Sequence, residues 1–357
     1  MSDAFTSNEK SKLFSLFANV KDNLKEQDGL GKTQDSDILV IDGMNTFIRC
    51  FAAVPTLNDD GLHTGGIAGF LKSVGYAVRL LNPTRCIIVF DGAGGSVRRK
   101  AIFPEYKERR TNKVRLNRIF EEASTTESES QAIARQLLRV SHYINTLPVT
   151  TIQIDNVEAD DVMAYLALQS FKDSNVTIMS SDKDFYQIVC DRIKVYSPTK
   201  KKIYGVPDVL SEYGIHPHNF VLFRTLDGDK SDSIDGISGC GLKTILKCFP
   251  FLAEEKTHTV NDILEHTELN KDKYKVYKTI SENKNIVERN YQLMQLSDTI
   301  IATFAQLNIG DILKKKNKLN RFEFVKMITE DKLWNAIPNY GVWLEQTFKK
   351  LDNFVII

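Results

Sequence analysis

Between Thr151 and Asp191 the chain reads TIQIDNVEADDVMAYLALQSFKDSNVTIMSSDKDFYQIVCD, with carboxylates gathered where its regular segments join. TIQI and VTIMSS are short β-branched runs, while Val162, Tyr165, Leu166 and Leu168 recur at helical spacing. The stretch therefore parses as strand, helix, strand, helix. Glu158, Asp160 and Asp161 open the first helix, and Asp182 and Asp184 follow the second strand directly. In an open parallel sheet, ligands collect beyond the carboxyl ends of strands, where loops lead into helices. Acids crowded there repel one another strongly unless a cation is shared. Residues three apart share a helical face, so Glu158 and Asp161 can converge. Asp160 joins them only if Glu158 precedes the regular helix, in its capping turn. The bland alternative is that acids favour helix N-termini for the dipole. It explains either cluster alone better than both on adjacent strands.

Two earlier segments repeat the pattern. DILVID ends in Asp42 and RCIIVFDG delivers Asp91, so four strand ends carry acids. HTGGIAGFLKSVGYAVRLLN between them reads as a helix. Strands alternating with helices predict an α/β fold: a mostly parallel central sheet with right-handed crossovers and helices on both faces.

After Asp91 the character changes. From Arg98 to Arg118 nine basic residues face two acids, a local net charge of +7, with Phe103, Tyr106 and Phe120 interleaved. EEASTTESESQ follows, and then the helical QAIARQLLRVSHYINTL. A charged insertion this long between strands is either functional or disordered. Its blandest reading is a solvated face. Basic residues mixed with aromatics are also the footprint of nucleic-acid binding, which makes the segment a phosphate-gripping arch over the acidic site.

Composition adds little beyond exclusions. Lys plus Arg is 47 and Asp plus Glu is 46 in 357 residues, so the net charge of +1 says nothing about partners. The five cysteines show no CxxC pairing, which fits a reduced cytoplasm and argues against a zinc site. No apolar run approaches the ~18–20 residues needed to span a bilayer, so no membrane partner is expected. MSDAFTSNEKSK lacks the basic-then-apolar order of a secretory signal. Residues 1–36 read as an accessory extension, a short helix built on Leu13, Phe14, Leu16, Phe17 and Val20 and then a linker.

RIKVYSPTKKKIYG reads as a hairpin, and VPDVLSEYG and HPHNFVLFRTL as helices. Next comes DGDKSDSIDGISGCGLKT, where Asp229 and Asp232 stand at a spacing that fits one metal ion. The glycines are not a Walker A loop, because Leu242 separates Gly241 from Lys243. Nor do they form a dinucleotide fingerprint, because a loop and not a strand precedes them. What remains is a helix–loop–helix turned tightly by glycine, whose amides, with Lys243 and Thr244, face a phosphate. An ordinary glycine-rich turn is the competing reading. Beyond Pro250 the chain is charged and mostly helical, with no legible motif.

Taken in order, IDGMN, FDG, PEYKERR, VEADD, SSDKDFYQIV, GDKSD and GISGCGLKT resemble the flap endonuclease and 5′→3′ exonuclease family, including the 5′-nuclease domains of bacterial DNA polymerases. SPTKKK and the helical C-terminal third are most similar to its phage-encoded ribonuclease H branch. The resemblance implies a PIN-like 5′-nuclease domain over 37–250, with an arch at about 98–147, a helix–turn–helix element at about 227–250, and a helical C-terminal region over 251–357. It implies a first metal cluster of Asp42, Asp91, Glu158, Asp160 and Asp161, and a second of Asp182, Asp184, Asp229 and Asp232. Lys107 and Arg110 match the arch residues that assist catalysis, and Arg98 or Arg99 is a further phosphate contact. Gly236, Gly239, Gly241, Lys243 and Thr244 match the element that holds duplex backbone, in the family often with a bound potassium ion.

The activity implied is Mg²⁺-dependent phosphodiester hydrolysis by two ions, with Mn²⁺ as a substitute, on 5′-flapped duplex DNA or RNA–DNA hybrid during replication. Carboxylates without nearby histidine or cysteine suit Mg²⁺. A monomer is expected, in the cytoplasm (the host's, if phage-encoded), with a single-strand DNA-binding protein as partner of the C-terminal helices. Three rivals stand beside this. One is a non-catalytic flap- or duplex-binding protein on the same scaffold. Another is a small-molecule phosphatase, which lacks its DxD pair at Asp42-Gly43-Met44. The last is a single-strand RNase of the PIN-like superfamily, which would not need the duplex-holding loop.

Overall fold

The structure is a computed structural model that describes residues 33–111, 117, 128–298 and 301–356. The helix expected on Leu13–Val20, the arch cations Lys113, Arg115 and Arg118, Phe120 and residues 121–127 of the acidic run after it lie outside the described residues, as does the Arg110 side chain.

Six strands form the central sheet: β1 (Asp37–Asp42), β2 (Arg85–Asp91), β3 (Thr150–Ile154), β4 (Asn175–Met179), β5 (Ile193–Ser197) and β6 (Lys202–Tyr204), in the order β3-β2-β1-β4-β5-β6. All neighbours pair in parallel except β5 with β6, the antiparallel edge hairpin read from RIKVYSPTKKKIYG. The first four strands are apolar runs because the sheet is covered on both faces. Period-two alternation then sorts their side chains between two cores. Ile38, Val40, Ile87, Val89, Val176 and Ile178 point into one core. Leu39, Ile41, Cys86, Ile88 and Met179 point into the other.

The second core is closed by α1 (Gly43–Ala53) and α2 (Gly65–Leu81). After β2 come α3 (Val97–Ile102) and α4 (Glu129–Ile144). Ser128 caps α4 in a capping box with Gln131, and Ala132, Val140 and Ile144 bury its inner stripe against the same core. Of the arch expected at 98–147, the α4 part has its apolar face committed to the sheet. On the opposite face lie α5 (Ala159–Tyr165), α6 (Val206–Tyr213) and α7 (Phe220–Asp227). A two-stranded hairpin, β7 (Gly228–Asp229) with β8 (Ile234–Asp235), follows α7 and leads into α8 (Leu242–Cys248). The C-terminal third is helical: α9 (Val260–Leu269), α10 (Lys275–Glu282), α11 (Lys284–Met294), α12 (Thr303–Leu313), α13 (Arg321–Glu330) and α14 (Tyr340–Ile356).

Strand order reverses between β1 and β4. Connections leave these neighbours in opposite directions, opening a crevice at their carboxyl ends. Asp42 and Asp182 sit there.

Candidate active site

Asp42 ends β1 and caps α1, where its Oδ1 accepts the Asn45 amide at 2.9 Å. Its Oδ2 accepts the Ser180 hydroxyl at 3.0 Å from the end of β4, so two strand ends are tied across the crevice. Asp91, at the end of β2, accepts the Ala159 amide at 2.8 Å and so pins the start of α5. Glu158 is the N-cap of that helix, and Asp160 in its first turn lines the crevice. Asp42, Asp91, Asp160, Asp182 and Lys107 line one cavity of about 440 Å³. Asp182 also borders an adjoining cavity of about 620 Å³, lined by Arg224, Asp227 and Asp229.

The charge there is poorly solvated. Burial, with Asp182 and Asp91 nearby, pushes the Asp42 carboxyl up to about 7 against the Asn45 and Ser180 hydrogen bonds. Burial, Asp182 and Asp42 push Asp160 well above the ordinary carboxylate range. Asp182 is raised mainly by burial, with Asp229 and Asp232 adding to it. Asp184 is pushed to about 7 by burial and Asp182, in spite of Arg224. Carboxylates held this way would be relieved by a divalent cation.

The remaining acids are satisfied by the protein's own cations. Arg99 is 4% exposed, and its guanidinium is shared between Glu158 and Asp161, at 2.8 and 2.9 Å from the latter. Its Nε donates to the Leu293 carbonyl at 2.8 Å. Arg98 reaches Asp161 at 3.3 Å. Lys107 and the Tyr106 hydroxyl also engage Glu158. Burial would raise the Glu158 carboxyl, but Arg99 and Lys107 outweigh it and hold it below its ordinary value. In the second cluster Arg224 bridges Asp184 at 2.6 Å and Asp229 at 2.5 Å. Asp229 also accepts the Ser231 amide and hydroxyl, both at 2.7 Å. Asp232 accepts the Tyr106 hydroxyl at 3.1 Å.

These pairs correct two expectations. Glu158 and Asp161 do converge, but on Arg99, and neither lines the cavity. Arg99 is a buried counter-ion, with its guanidinium used up, and so is not placed to grip a phosphate. Among the described residues, no three acidic, histidine or cysteine side chains come close enough to hold one ion as they stand. The donor set of the main cavity nonetheless suits a hard divalent cation, being carboxylate oxygen with no histidine or cysteine.

The glycine-rich segment lies beside the second cluster. Gly236 passes so close to the Asp227 carbonyl that a Cβ would come within 2.2 Å of it. Gly239 has φ +84°, and neither it nor Gly241 has any atom within 4 Å of where a Cβ would stand. Gly241 caps α8, and Lys243 in its first turn is exposed. The backbone is thus open to close approach, and Asp229 and Asp232 ride on the β7–β8 hairpin, in a stretch whose sequence reads as loop.

Residues 37–214 match the family described as 5′-3′ exonuclease, N-terminal resolvase-like domain. A 5′-3′ exonuclease of Aquifex aeolicus is 26% identical over 304 residues, which cover 83% of this chain and 96% of that one. The chain belongs to the 5′-3′ exonuclease family. The thermostable DNA polymerase I of Thermus thermophilus is 34% identical over 213 residues, but these span only 23% of the polymerase. The bacteriophage T5 D15 flap endonuclease, solved with DNA and metal ions, shares the fold with TM-score 0.57 at 18% identity, covering 90% of this chain and all of that one. Flap endonuclease-1 of Methanococcus jannaschii does so with TM-score 0.53 at 14% identity, covering 91% and 95%. The family is one of metal-dependent nucleases.

Within this exonuclease scaffold, sequence reasoning missed Arg224 and misassigned Arg99. Arg224 lies in an apolar helical run, HPHNFVLFRTL, where a lone arginine flanked by buried positions is itself the clue. Lone charges in such runs are nearly always paired.

Proposed function

We propose that this chain is a structure-selective 5′ nuclease that hydrolyses phosphodiester bonds in 5′-flapped duplex DNA or RNA–DNA hybrid, removing flaps or RNA primers during replication. One observation carries the reading: acids from four strand ends, Asp42, Asp91, Asp160 and Asp182, share a cavity with a single lysine, Lys107. Asp42, Asp91, Asp160 and Asp182 would hold one ion, and Asp182 with Asp184, Asp229 and Asp232 a second. Two bound Mg²⁺ ions, or Mn²⁺ in their place, supply an activated water and charge stabilisation at the leaving oxygen. Lys107 neutralises charge developing on the phosphate, and Arg110 supports it from the same arch base. Glu158 and Asp161 hold the arch base in place by gripping Arg99 and Lys107. Gly236, Gly239, Gly241, Lys243 and Thr244 seat duplex backbone, with a potassium ion at that loop, and so position the substrate without reading its sequence. The protein acts as a cytoplasmic monomer, and its C-terminal helices contact a single-strand DNA-binding protein. Among the described residues no helix is long and apolar enough to cross a membrane.

The test is cleavage of end-labelled 5′-flap, blunt-duplex and RNA–DNA hybrid substrates with Mg²⁺, Mn²⁺, Ca²⁺ or EDTA. Mg²⁺-dependent products at the flap junction or the hybrid 5′ end are expected. Tight flap binding without products in any metal would replace this reading with the non-catalytic one.

A further inference from the structure

Lys107 has a backbone conformation that its residue type disfavours. Its φ is +61°, in the left-handed region, which a residue bearing a Cβ disfavours. Such a position persists only where its surroundings hold it. The holding contacts come from more than a hundred residues away, on the β7–β8 hairpin. The Lys107 amide donates to the Asp232 carbonyl at 2.8 Å. The Arg109 amide donates to the Ser233 hydroxyl at 3.0 Å, and the Arg109 guanidinium reaches Asp235 at 3.1 Å. Ser233 is 4% exposed and itself left-handed, with φ +63°. Two segments, each with a backbone position that would be strained alone, are thus joined by hydrogen bonds at Lys107 itself and at Arg109, two residues on.

We infer that Ser233 is a positioning residue for Lys107: the hairpin clamps the arch base, and its hydroxyl fixes the amide two residues past the lysine. β8 runs without a break into Gly236, so the same clamp joins the arch base to the glycine-rich segment. A duplex seated on that segment would bear on the piece of chain that sets where Lys107 points. The inference rests on the nuclease reading for its consequence, but not for its geometry.

Two measurements test it. In single-turnover cleavage at saturating flap substrate, Ser233→Ala should lower the rate about tenfold while leaving substrate Kd and Tm close to those of the unaltered chain. In a Lys107→Ala background the same substitution should change the rate less than twofold, because a residue acting through Lys107 has nothing left to position. Equal rate losses in both backgrounds would mean a general structural role and overturn the inference, as would no loss in either. Amide hydrogen exchange gives a readout that needs no activity. Ser233→Ala should speed exchange at Arg109 and Lys107 at least tenfold, with core amides of β1 unchanged; unchanged protection at Arg109 would remove the clamp. If the chain cleaves nothing but exchange responds, the nuclease reading fails and the clamp stands.

Discussion

Asp182 is the acid that borders both cavities, so its charge is common to both candidate ion positions. Asp182→Asn keeps the volume and leaves an oxygen to accept the Asp184 amide, now 2.8 Å away. Cleavage should fall about 10²–10³-fold, the range for losing a group that stabilises transition-state charge, while flap binding by fluorescence anisotropy stays within a few fold. Loss of both together, with a lower Tm, would mean that Asp182 supports the fold. Asp42 yields a second expectation, about pH. Its folded value of about 7 lies above the ordinary 3.8, so the folded state binds its proton more tightly than the unfolded chain does. That contribution to stability is complete below about pH 4 and is lost as pH rises through 7. In EDTA, Tm should therefore decline between pH 5 and 8, and Asp42→Asn should flatten the decline. A Tm that rises across that window would contradict the burial assigned to Asp42. The acids were legible because each stands at a strand end or helix start. Arg99 was not, since its partners lie 59 and 62 residues away in sequence and no local spacing reveals such pairs; Arg224 has Asp229 five residues on, but its link to Asp184 spans 40.

At the scale of elements, strands were easier to read than the loops that carry chemistry. β1, β2 and β4 are buried on both faces, so unbroken β-branched and aliphatic runs gave them away. The β7–β8 hairpin has two residues per strand in a stretch of Gly, Asp and Ser, and only its tertiary contacts with α7 and the arch base define it. Charge marks the start of the expected arch, but not its end, where α4 is amphipathic and packs on the core. For the glycine-rich element, open space around Gly239 and Gly241 beside exposed Lys243 leads to a measurable expectation. Lys243→Ala should weaken binding to duplexes of any sequence alike, and the slope of log K against log salt should become shallower by about one. An unchanged slope, measured by anisotropy between low and moderate salt, would take Lys243 off the duplex backbone.

At the scale of the whole molecule, the helical region beyond 250 fills the same two cores as the sheet. Ile263, Tyr277, Ile280, Val287 and Ile309 belong to the core on one face of the sheet. Phe324, Ile328, Leu344, Phe348 and Leu351 belong to the core on the other. Trp343 of α14 lies so close over Gly75 of α2 that a Cβ there would come within 2.5 Å of the indole. The site depends on the same region, because Arg99 donates to the Leu293 carbonyl and Gln187 to the Met294 carbonyl. Removing residues 251–357 would delete these ten large apolar side chains and uncover the parts of both cores that they cover, a loss of burial worth roughly 1.5–3 kcal/mol for each. That loss exceeds the net stability of about 5–15 kcal/mol typical of a domain. A 33–250 fragment should therefore show no cooperative unfolding transition and should aggregate. Both tryptophans of the chain, Trp334 and Trp343, lie in the C-terminal third, so fluorescence reports on that region while far-ultraviolet dichroism reports on the whole. In the full chain the two signals should unfold at one urea concentration. Two separated midpoints, or a soluble 33–250 fragment with a sharp transition of its own, would show that the helices behind the sheet form an independent unit, and that Arg99 keeps its place without them.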